Sequence, residues 1–322
     1  MRPLLSVIIP VYNTKEYLES CLASLNCQGI DEEQLEIICV DDCSTDGSGD
    51  WLDEYASSHG SVTVIHQEHG GVSSARNRGM DVMTGKFFEF IDSDDFLFPD
   101  TIGRILEAME KNQCDVAQFG YTRDDNYRCS SEFKYKISTM TLSGMVSRYI
   151  FESERFGQLR FDEGLHFGED TFFAQTVALF RPRCLCTECK CYMYRRNPNS
   201  LMNTRDFLAS AASMLKLAGN HKAYLDENRF PDSKKRVRKW CARATAGYIY
   251  YSLRGGREDD PFPMLKERGL WPYKKEWQLL LIHIRKNGGL RQTASNYCLF
   301  FCGFRPTWKL LKRSRILNRS KD

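Results

Sequence analysis

Apolar, β-rich segments alternate with helical patterns from residue 4 to residue 91. Strands are predicted at 4–11, 35–40, 62–66 and 87–91, and helices at 15–25, 51–58 and 73–83. Strands that alternate with helices favour a parallel sheet whose two faces are covered by helices. The alternation therefore predicts an α/β fold with a mainly parallel central sheet and flanking helices. Ligands in such sheets bind beyond the carboxyl ends of the strands.

The pattern beyond residue 100 is less regular. It predicts helices at 101–111, 141–151 and 171–180, strands at 115–121 and 191–194, and a polar loop or solvent-facing hairpin at 122–136. From about residue 207 the pattern is mostly helical. A chain of 322 residues has room for one large domain with a smaller appendage. We therefore expect two domains, at 1–205 and 206–322.

Three carboxylates lie within Asp92-Ser93-Asp94-Asp95, directly after the strand predicted at 87–91. Carboxylates this close repel one another and need a compensating cation or full solvation. Hard divalent ions often combine one or two carboxylates with substrate phosphates. The alternative is a solvated turn or helix cap, which is what most isolated Asp-x-Asp triplets are. The position at a strand end favours a Mn²⁺ or Mg²⁺ site.

A second acidic pair, Asp41-Asp42, follows the strand predicted at 35–40 in the same way. A carboxylate at a strand end can accept a hydrogen bond from a nucleobase N–H or a ribose hydroxyl. The alternative role, capping of the helix at 51–58, belongs more naturally to the Ser and Asp residues at 44–48. We therefore assign Asp42 to ligand binding.

Asp170 lies at the start of the helix predicted at 171–180, after Gly168-Glu169. On sequence alone the acidic pair is explained as a helix cap that interacts with the helix dipole. The alternative is a general base that removes a proton from a hydroxyl. Both interpretations stay open at this point.

Arg195 and Arg196 follow the strand predicted at 191–194. A guanidinium offers a planar fork of donors and stays protonated, which suits a departing diphosphate. Read alone, the pair is a basic turn.

Four thiols, those of Cys184, Cys186, Cys189 and Cys191, lie within eight residues. Structural zinc sites usually hold two Cys-x₂₋₄-Cys pairs separated by a longer loop. Leu185 and aromatic residues interleave with these cysteines instead. We therefore expect an extended strand rather than a zinc site.

Composition argues against several classes of protein. The net charge of +3 is too small to indicate a nucleic-acid partner. The N-terminus lacks the long apolar stretch of a signal peptide. Thirteen cysteines, an odd number scattered through apolar runs, indicate buried free thiols in a reducing cytosol. The uncharged apolar stretch at 293–304 has 12 residues, too few to span a bilayer.

The C-terminal tail at 297–321 interleaves basic residues with aromatic and aliphatic ones. Such a mixture can lie on an anionic membrane surface. A helix docked on the protein with a solvated basic face explains it equally well. The same two interpretations apply to the basic run at 234–240.

Six segments, in this order, resemble the family 2 inverting glycosyltransferases with the A-type fold. The segments are SVIIPVYN at 6–13, VDDCSTDGS at 40–48, GVSSARNRG at 71–79, DSDD at 92–95, GED at 168–170 and YRRNPNS at 194–200. Together they are specific and cover about 4–202. The resemblance implies a Rossmann-like sheet and transfer of a sugar from a nucleotide donor, by similarity a UDP-sugar. The acceptor would be a hydroxyl of a glycan or a lipid-linked saccharide.

The resemblance also implies a role for each matching residue. On the donor side these are Pro10, Val11 and Tyr12 around the base, Asp42 on the base, Asp92 near the ribose, Arg76 and Ser93 elsewhere on the donor, and Arg195 or Arg196 with Ser200 at the diphosphate. On the catalytic side they are Asp94 as ligand of Mn²⁺ or Mg²⁺, Asp95 close enough to share that role, and Asp170 as the base. The resemblance places such an enzyme in the cytoplasm, where it would build a cell-surface saccharide at the inner face of the membrane.

The chain departs from the family pattern at two places. His69 stands where an Asn is expected, and 148–160 lacks a Trp-x-Lys-like element. These departures concern contacts with the donor sugar or the acceptor.

Two other functions compete with sugar transfer. A nucleotidyltransferase would carry a glycine-rich phosphate loop near the N-terminus, but 10–15 contains no glycine. A non-catalytic scaffold would have no use for Asp42, Asp92, Asp94 and Asp170 together.

Overall fold

The computed structural model describes residues 2–124, 126–127, 133–139, 144–197, 206–255 and 262–270. These residues pack into two compact units. The first is formed from described residues of 2–163 and 169–197, and the second from 164–168 and those after 205. The domain boundary expected near residue 205 stays a prediction, because 198–205 lie outside the described residues. Ser200 and the tail at 297–321 also lie outside them.

From residue 5 to residue 90 the first unit alternates strands and helices as predicted, and further on several strands follow one another. Its elements are β1 Leu5–Val11, α1 Lys15–Leu25, β2 Leu35–Asp41, α2 Ser48–Ser58, β3 Val62–His66, α3 Val72–Val82, β4 Phe87–Phe90, β5 Phe96–Leu97, α4 Ile102–Asn112, β6 Val116–Thr122, β7 Tyr135–Thr139, β8 Tyr149–Glu152, α5 Ser153–Phe156, α6 Glu169–Leu179 and β9 Arg183–Met193. The strands of the described residues form one sheet in the order β3-β2-β1-β4-β8-β6-β9-β5, with β7 paired to β9.

The direction of the strands changes along the sheet. The first four, β3, β2, β1 and β4, are all parallel. β8 runs antiparallel to both β4 and β6, whereas β6 and β9 are parallel. Side chains cover both faces of the sheet. One face packs against α1 and α4 through residues such as Leu22 and Ile105, and the other carries stacked and edge-on rings that include Phe90, Phe151 and Phe173.

The helix predicted at 141–151 is wrong in its described part. The chain there forms a 3₁₀ turn, Val146–Arg148, and then strand β8. Tyr149, Ile150 and Phe151 are all fully buried, because β8 lies between β4 and β6 with both faces covered. A short apolar run that is buried on every side has no strand periodicity, so sequence alone does not separate it from a buried helix.

The polar segment predicted at 122–136 as a loop or hairpin leads into a strand that the sequence did not indicate. β7 pairs with β9 in antiparallel register, Tyr135 opposite Thr187. The cysteine-rich segment lies within β9, an extended strand as expected.

The loop after β2 holds the start of α1. Asp46 accepts a hydrogen bond from the backbone N–H of Lys15 at 2.9 Å, and Ser48 Oγ accepts one from that of Thr14 at 3.2 Å. Side chains of this loop therefore satisfy N–H groups at the start of a helix 30 residues earlier in the chain. The Thr14 hydroxyl is free to donate to Ser93 Oγ at 2.8 Å, which ties the ends of β1 and β4 together.

The second unit consists mainly of helices α7 Phe207–Asp226, α8 Lys234–Arg254 and α9 Phe262–Glu267. The Asp206 side chain caps α7 by accepting hydrogen bonds from the backbone N–H groups of Leu208 and Ala209. α7 and α8 pack against each other. This helical content agrees with the sequence. Within the residues that the structure describes, no helix is long and apolar enough to cross a bilayer.

Glu89 is a buried acid in the middle of β4. It is 0% exposed, and in the described part of the chain neither carboxyl oxygen has a hydrogen-bond partner. Its neighbours in the sheet are Val7 and Ile150, both in the apolar core. Burial raises the pKa of Glu89 well above its ordinary value and so favours its protonated form in the folded protein.

We predict that Glu89→Leu stabilises the first unit at pH 8 by about 1–3 kcal/mol, because it removes an unpartnered buried polar group. In the unfolded chain this acid ionises near pH ~4.3, whereas the folded state retains the proton. The contribution of Glu89 to stability therefore falls as the pH rises above that value. Urea unfolding at pH 5 and pH 8 measures both effects.

The matched control is Glu89→Gln, which keeps the polar atoms but does not ionise. This variant should remove only the pH-dependent part of the loss in unfolding free energy. Lower stability of Glu89→Leu at both pH values would show that the carboxyl has a stabilising partner.

Candidate active site

Arg76 on α3 joins three carboxylates from two other parts of the first unit. Its Nη1 donates to Asp170 Oδ1 at 2.6 Å and to Glu169 Oε1 at 3.4 Å, and its Nη2 donates to Asp92 Oδ1 at 2.9 Å. The side chain is 3% exposed. Burial alone would lower the pKa of Arg76, but the charges of Asp170, Asp92 and Glu169 outweigh it and raise that pKa. The guanidinium therefore remains charged and holds the carboxylates together.

The packing of α3 fixes the position of Arg76. Gly79 lies so close to β1 that a Cβ there would collide with Ile8. One turn of α3 is also fastened by Asn77, whose side chain donates to the Phe161 carbonyl at 3.1 Å and accepts from the Phe161 N–H at 2.8 Å. Close helix–sheet packing and this buried amide pair leave Arg76 little freedom.

Asp170 lies in the first turn of α6, partly buried. Its Oδ2 accepts a hydrogen bond of 3.4 Å from the N–H of Val146, and its Oδ1 contacts Arg76. Burial raises the pKa of Asp170 to about 7, with Glu169 and Asp92 adding to the rise and Arg76 opposing it. A carboxylate of this kind can accept a proton near neutral pH.

Asp95 is the most constrained carboxylate of the cluster that follows β4. It is 1% exposed, and both of its oxygens accept hydrogen bonds, from the Tyr192 hydroxyl at 2.6 Å and the Arg195 N–H at 2.8 Å. Burial raises the pKa of Asp95 to about 8, helped by the charges of Asp92 and Asp94. The Tyr192 hydroxyl also accepts a 3.2 Å hydrogen bond from the N–H of Asp92. These bonds hold the cluster against the end of β9.

Asp94 and Asp92 are the members of the cluster with side chains less fully enclosed. Asp94 Oδ2 accepts a hydrogen bond from Asn197 Nδ2 at 2.9 Å. Burial and the charge of Asp92 raise the pKa of Asp94. Asp92 is 28% exposed and contacts Arg76 through one oxygen.

The charge and chemistry of this cluster fit a divalent cation. Hard oxygen donors are present, and burial, with the charges of neighbouring carboxylates adding to it, raises the pKa values of Asp94 and Asp95. Among the described residues, no group of three or more His, Cys, Asp or Glu side chains could enclose a metal ion. An ion held here would therefore need further ligands from water or from a bound phosphate.

Asp42 follows β2, at the same edge of the sheet as Asp92, and is 2% exposed. Its Oδ1 accepts hydrogen bonds from Gln67 Nε2 at 2.7 Å and from the Gly70 N–H at 2.8 Å. Its Oδ2 accepts one from the Gly71 N–H at 2.8 Å and lies 2.9 Å from His69 Nδ1. The carboxylate thus organises the segment before α3.

An aromatic pair borders Asp42. The Tyr12 and His69 rings lie 4.6 Å apart between centroids, and the Tyr12 side chain is 48% exposed. Pro10 and Val11, predicted to line the same pocket, are buried within β1, with Val11 in the apolar core. Among the residues at 10–12, Tyr12 therefore presents the accessible surface.

The two predicted arginines differ in their surroundings. The Arg195 guanidinium donates to Ser20 Oγ at 2.7 Å and lies over the Phe96 ring, 4.7 Å from its centroid. Arg196 is exposed. The side chain of Ser93 is buried and accepts from Thr14, as described above.

Several residues of the site were not indicated by the sequence. Gln67 and Tyr192 contact Asp42 and Asp95, and Asn197 contacts Asp94. These contacts join residues about 25 to 100 positions apart. Glu169 was interpreted as a favourable charge at a helix start, and its contact with Arg76 had no local signal.

We predict that Arg76→Lys destabilises the first unit by about 2–3 kcal/mol, because an ammonium keeps the charge but does not reach three carboxylates at once. Urea unfolding measures the loss. Arg78→Lys is the matched control, since Arg78 lies on the exposed side of the same helix and should change stability by less than about 0.5 kcal/mol. Equal stability of the two variants would mean that the carboxylates around Arg76 do not depend on it.

Three known proteins share features of this chain. The uncharacterised glycosyltransferase EpsJ of Bacillus subtilis is 33% identical over 221 residues, which are 62% of this chain and 63% of EpsJ. A crystal structure of S. aureus TarS 1–349 in complex with UDP-GlcNAc matches with a TM-score of 0.66 at 18% identity, over 94% of this chain and 92% of that one. The mannosyltransferase PcManGT from Pyrobaculum calidifontis, in complex with GDP-Man and Mn²⁺, matches with a TM-score of 0.53 at 16% identity, over 93% and 87%.

The structural matches, at such low identity, establish the fold and confirm the predicted A-type α/β architecture. The match to EpsJ spans less than two thirds of the length of that protein. The sequence model of glycosyl transferase family 2 matches residues 6–181, more than half of the chain and the region that contains Asp42, Arg76, Asp92 and Asp170. The chain therefore belongs to glycosyl transferase family 2, a family of glycosyltransferase enzymes.

Proposed function

We propose that this protein is a metal-assisted, inverting glycosyltransferase that moves a sugar from a UDP-sugar to a hydroxyl of a glycan or lipid-linked saccharide. The observation that carries the proposal is the Arg76 bridge between Asp92 and Asp170. It joins a residue assigned to the donor with one assigned to the acceptor. Family membership supports the reaction class. The UDP-GlcNAc bound to TarS supports a UDP-sugar as the donor. The GDP-Man bound to PcManGT makes a GDP-sugar the second candidate.

In this proposal Asp170 is the catalytic base. A carboxylate oxygen of Asp170 takes the proton of the acceptor hydroxyl. The oxygen of that hydroxyl attacks the anomeric carbon on the face opposite the diphosphate, and the bond between the anomeric carbon and the diphosphate oxygen breaks as the nucleoside diphosphate leaves. The configuration of the sugar inverts. A pKa of about 7 suits the task, because about half of the base is ionised at neutral pH and the carboxylate is still basic enough to accept a proton.

The proposed donor site lies at the ends of β1, β2 and β4. Tyr12 offers an exposed ring for the base, next to the buried Pro10 and Val11. All four acceptor positions of the Asp42 carboxylate have partners, so the proposed contact with the base requires one of them, such as His69, to move. Asp92 and Ser93 are proposed to approach the ribose.

The diphosphate is proposed to lie near Asp94, Arg195 and Arg196, with Ser200 beyond the described residues. Asp94 is the proposed ligand of Mn²⁺ or Mg²⁺. Asp95 was assigned to share that role, but both of its oxygens are engaged, so we propose that it positions the cluster instead. A bound divalent ion would neutralise charge on the departing diphosphate. Arg195 or Arg196 would add a charged donor to the same group.

The cellular setting stays a proposal. We infer a cytoplasmic enzyme at the inner face of the membrane, acting on a lipid-linked saccharide. The exposed cations Lys234, Lys235, Arg238 and Lys239 on α8 support contact with anionic lipid. The basic tail assigned to the same contact lies outside the described residues.

We predict that Asp170→Asn lowers kcat by about 10²- to 10⁴-fold, because the amide does not accept the proton. Binding of UDP-sugar, measured as a thermal shift, should persist. In the unchanged protein, kcat should rise with pH through about 7 and then level off, as Asp170 ionises. Asp232→Asn, a change of an exposed acid in the second unit, is the control. Normal turnover by Asp170→Asn would refute the assignment of the base.

We predict that removal of divalent ions with EDTA abolishes most of the UDP release that depends on an acceptor. Added Mn²⁺ should restore it. Asp94→Asn keeps the contact with Asn197 but loses the charge, so it should need at least about tenfold more Mn²⁺. Asp50→Asn, an exposed change on α2, should behave like the unchanged protein. Full activity in EDTA would contradict the role of the metal.

A further inference from the structure

An open cavity of about 470 Å³ lies on the sheet of the first unit. Residues of β6, β7 and β9 form its floor, among them Gln118, Ser138 and Cys186. Arg148, at the end of the 3₁₀ turn before β8, closes one side. The cavity lies wholly within the first unit.

The cavity is lined by more positive than negative charge. Lys136, Arg148 and Lys190 contribute three cations against the single acid Glu188. Throughout the described residues, none of these three cations is ion-paired with a carboxylate. Unpaired cations around one cavity favour an anionic ligand.

Aromatic contacts hold two of these cations in place. The Arg148 guanidinium donates to the Phe119 carbonyl at 3.1 Å and lies over the Tyr121 ring, 5.1 Å from its centroid. The Lys190 ammonium lies 4.9 Å from the centroid of Tyr127. Tyr121 is itself 39% exposed. A planar ring next to fixed cations suits a saccharide that carries charge, since the ring packs on sugar C–H groups while the cations bind the anion.

The order of the strands sets this cavity apart from the residues proposed for the base and the ribose. Those residues follow β1, β2 and β4, whereas the cavity lies on β6, β7 and β9, beyond β8. Arg195 and Arg196, proposed for the diphosphate, follow β9. Arg148 belongs to the same 3₁₀ turn as Val146, whose N–H donates to Asp170. One backbone turn therefore links the cavity to the proposed base.

We propose that this cavity binds an anionic group, a phosphate or a carboxylate, carried by the acceptor saccharide. The inference rests on the proposed function, because it names the class of acceptor for the same reaction. The cations of the cavity fix the register of the acceptor chain so that one of its hydroxyls lies next to Asp170. A neutral saccharide lacks this anchor and binds more weakly.

The first test measures occupancy without any donor. Cys186 lines the cavity, and hydrogen bonds from Cys184 and Ser138, with the charge of Lys136, lower the pKa of its thiol to about 6. Its alkylation at pH 7, quantified by peptide mass, should be slowed at least about fivefold by an oligogalacturonate or by a polyol-phosphate oligomer. A neutral maltohexaose of matched length should not slow it. The exposed Cys27 and Cys43 serve as internal references.

The second test compares charge reversals. Lys136→Glu and Lys190→Glu should each raise the KM for the anionic acceptor by about tenfold, because one charge-assisted contact is lost and a repulsive charge is added. The KM for the UDP-sugar and the rate with a neutral acceptor should stay unchanged. Lys266→Glu makes the same change of net charge at an exposed position of α9 and should leave all three constants unchanged.

The two oligomers distinguish a phosphate anchor from a carboxylate anchor. If neither protects Cys186 more than maltohexaose does, or if Lys266→Glu raises the acceptor KM as much as the cavity variants, the inference is overturned while sugar transfer stands. If no nucleotide sugar is turned over but an anionic oligomer still protects Cys186, the proposed function fails while the anion site stands.

Discussion

Arg76 is the charge on which the arrangement of this site depends. Three carboxylates from the end of β4 and the start of α6 lie within hydrogen-bond or ion-pair distance of one buried guanidinium. Burial of so many charges costs several kcal/mol per ion, and only close, well-oriented pairs offset that cost. Without Arg76, Asp92 and Asp170 would repel each other and take up protons. The guanidinium thus determines both the geometry of the two residues and their charge.

A second set of contacts limits what the acidic cluster can do. Tyr192 and the Arg195 backbone occupy both oxygens of Asp95 and draw the loop after β4 against the end of β9. Asp94 has a hydrogen bond from Asn197 to one oxygen, and burial and the charge of Asp92 raise its pKa. A cluster of three acids therefore has divided functions: one member is anchored, one pairs with Arg76, and one has charge that an added cation can neutralise.

The alternation of strands and helices could be predicted from the sequence because each early strand is short, apolar and bounded by turn residues. It predicted β1 to β4 and α1 to α3 to within three residues at their ends. Strands β8 and β7 could not be predicted from the sequence. β8 is buried on all sides and so has no alternating pattern. β7 follows a polar segment, and its strand conformation depends on pairing with β9. The acidic residues of the site could be named from local pattern. Their partners could not, because Gln67, Tyr192 and Asn197 reach them across 25 to 103 positions of sequence.

The strands of the sheet change direction after β4, so the half that contains β1 to β4 differs from the half that begins with β8. Parallel strands β1 to β4 bring several carboxyl ends to one edge, which is where polar and charged loops can meet a nucleotide. β8 then runs antiparallel, so its beginning, rather than its end, lies at that edge, directly after the turn Val146–Arg148. One backbone segment thereby donates to Asp170 and presents Arg148 to the neighbouring cavity. The reversal of β8 therefore links the proposed base to the cavity through a single turn.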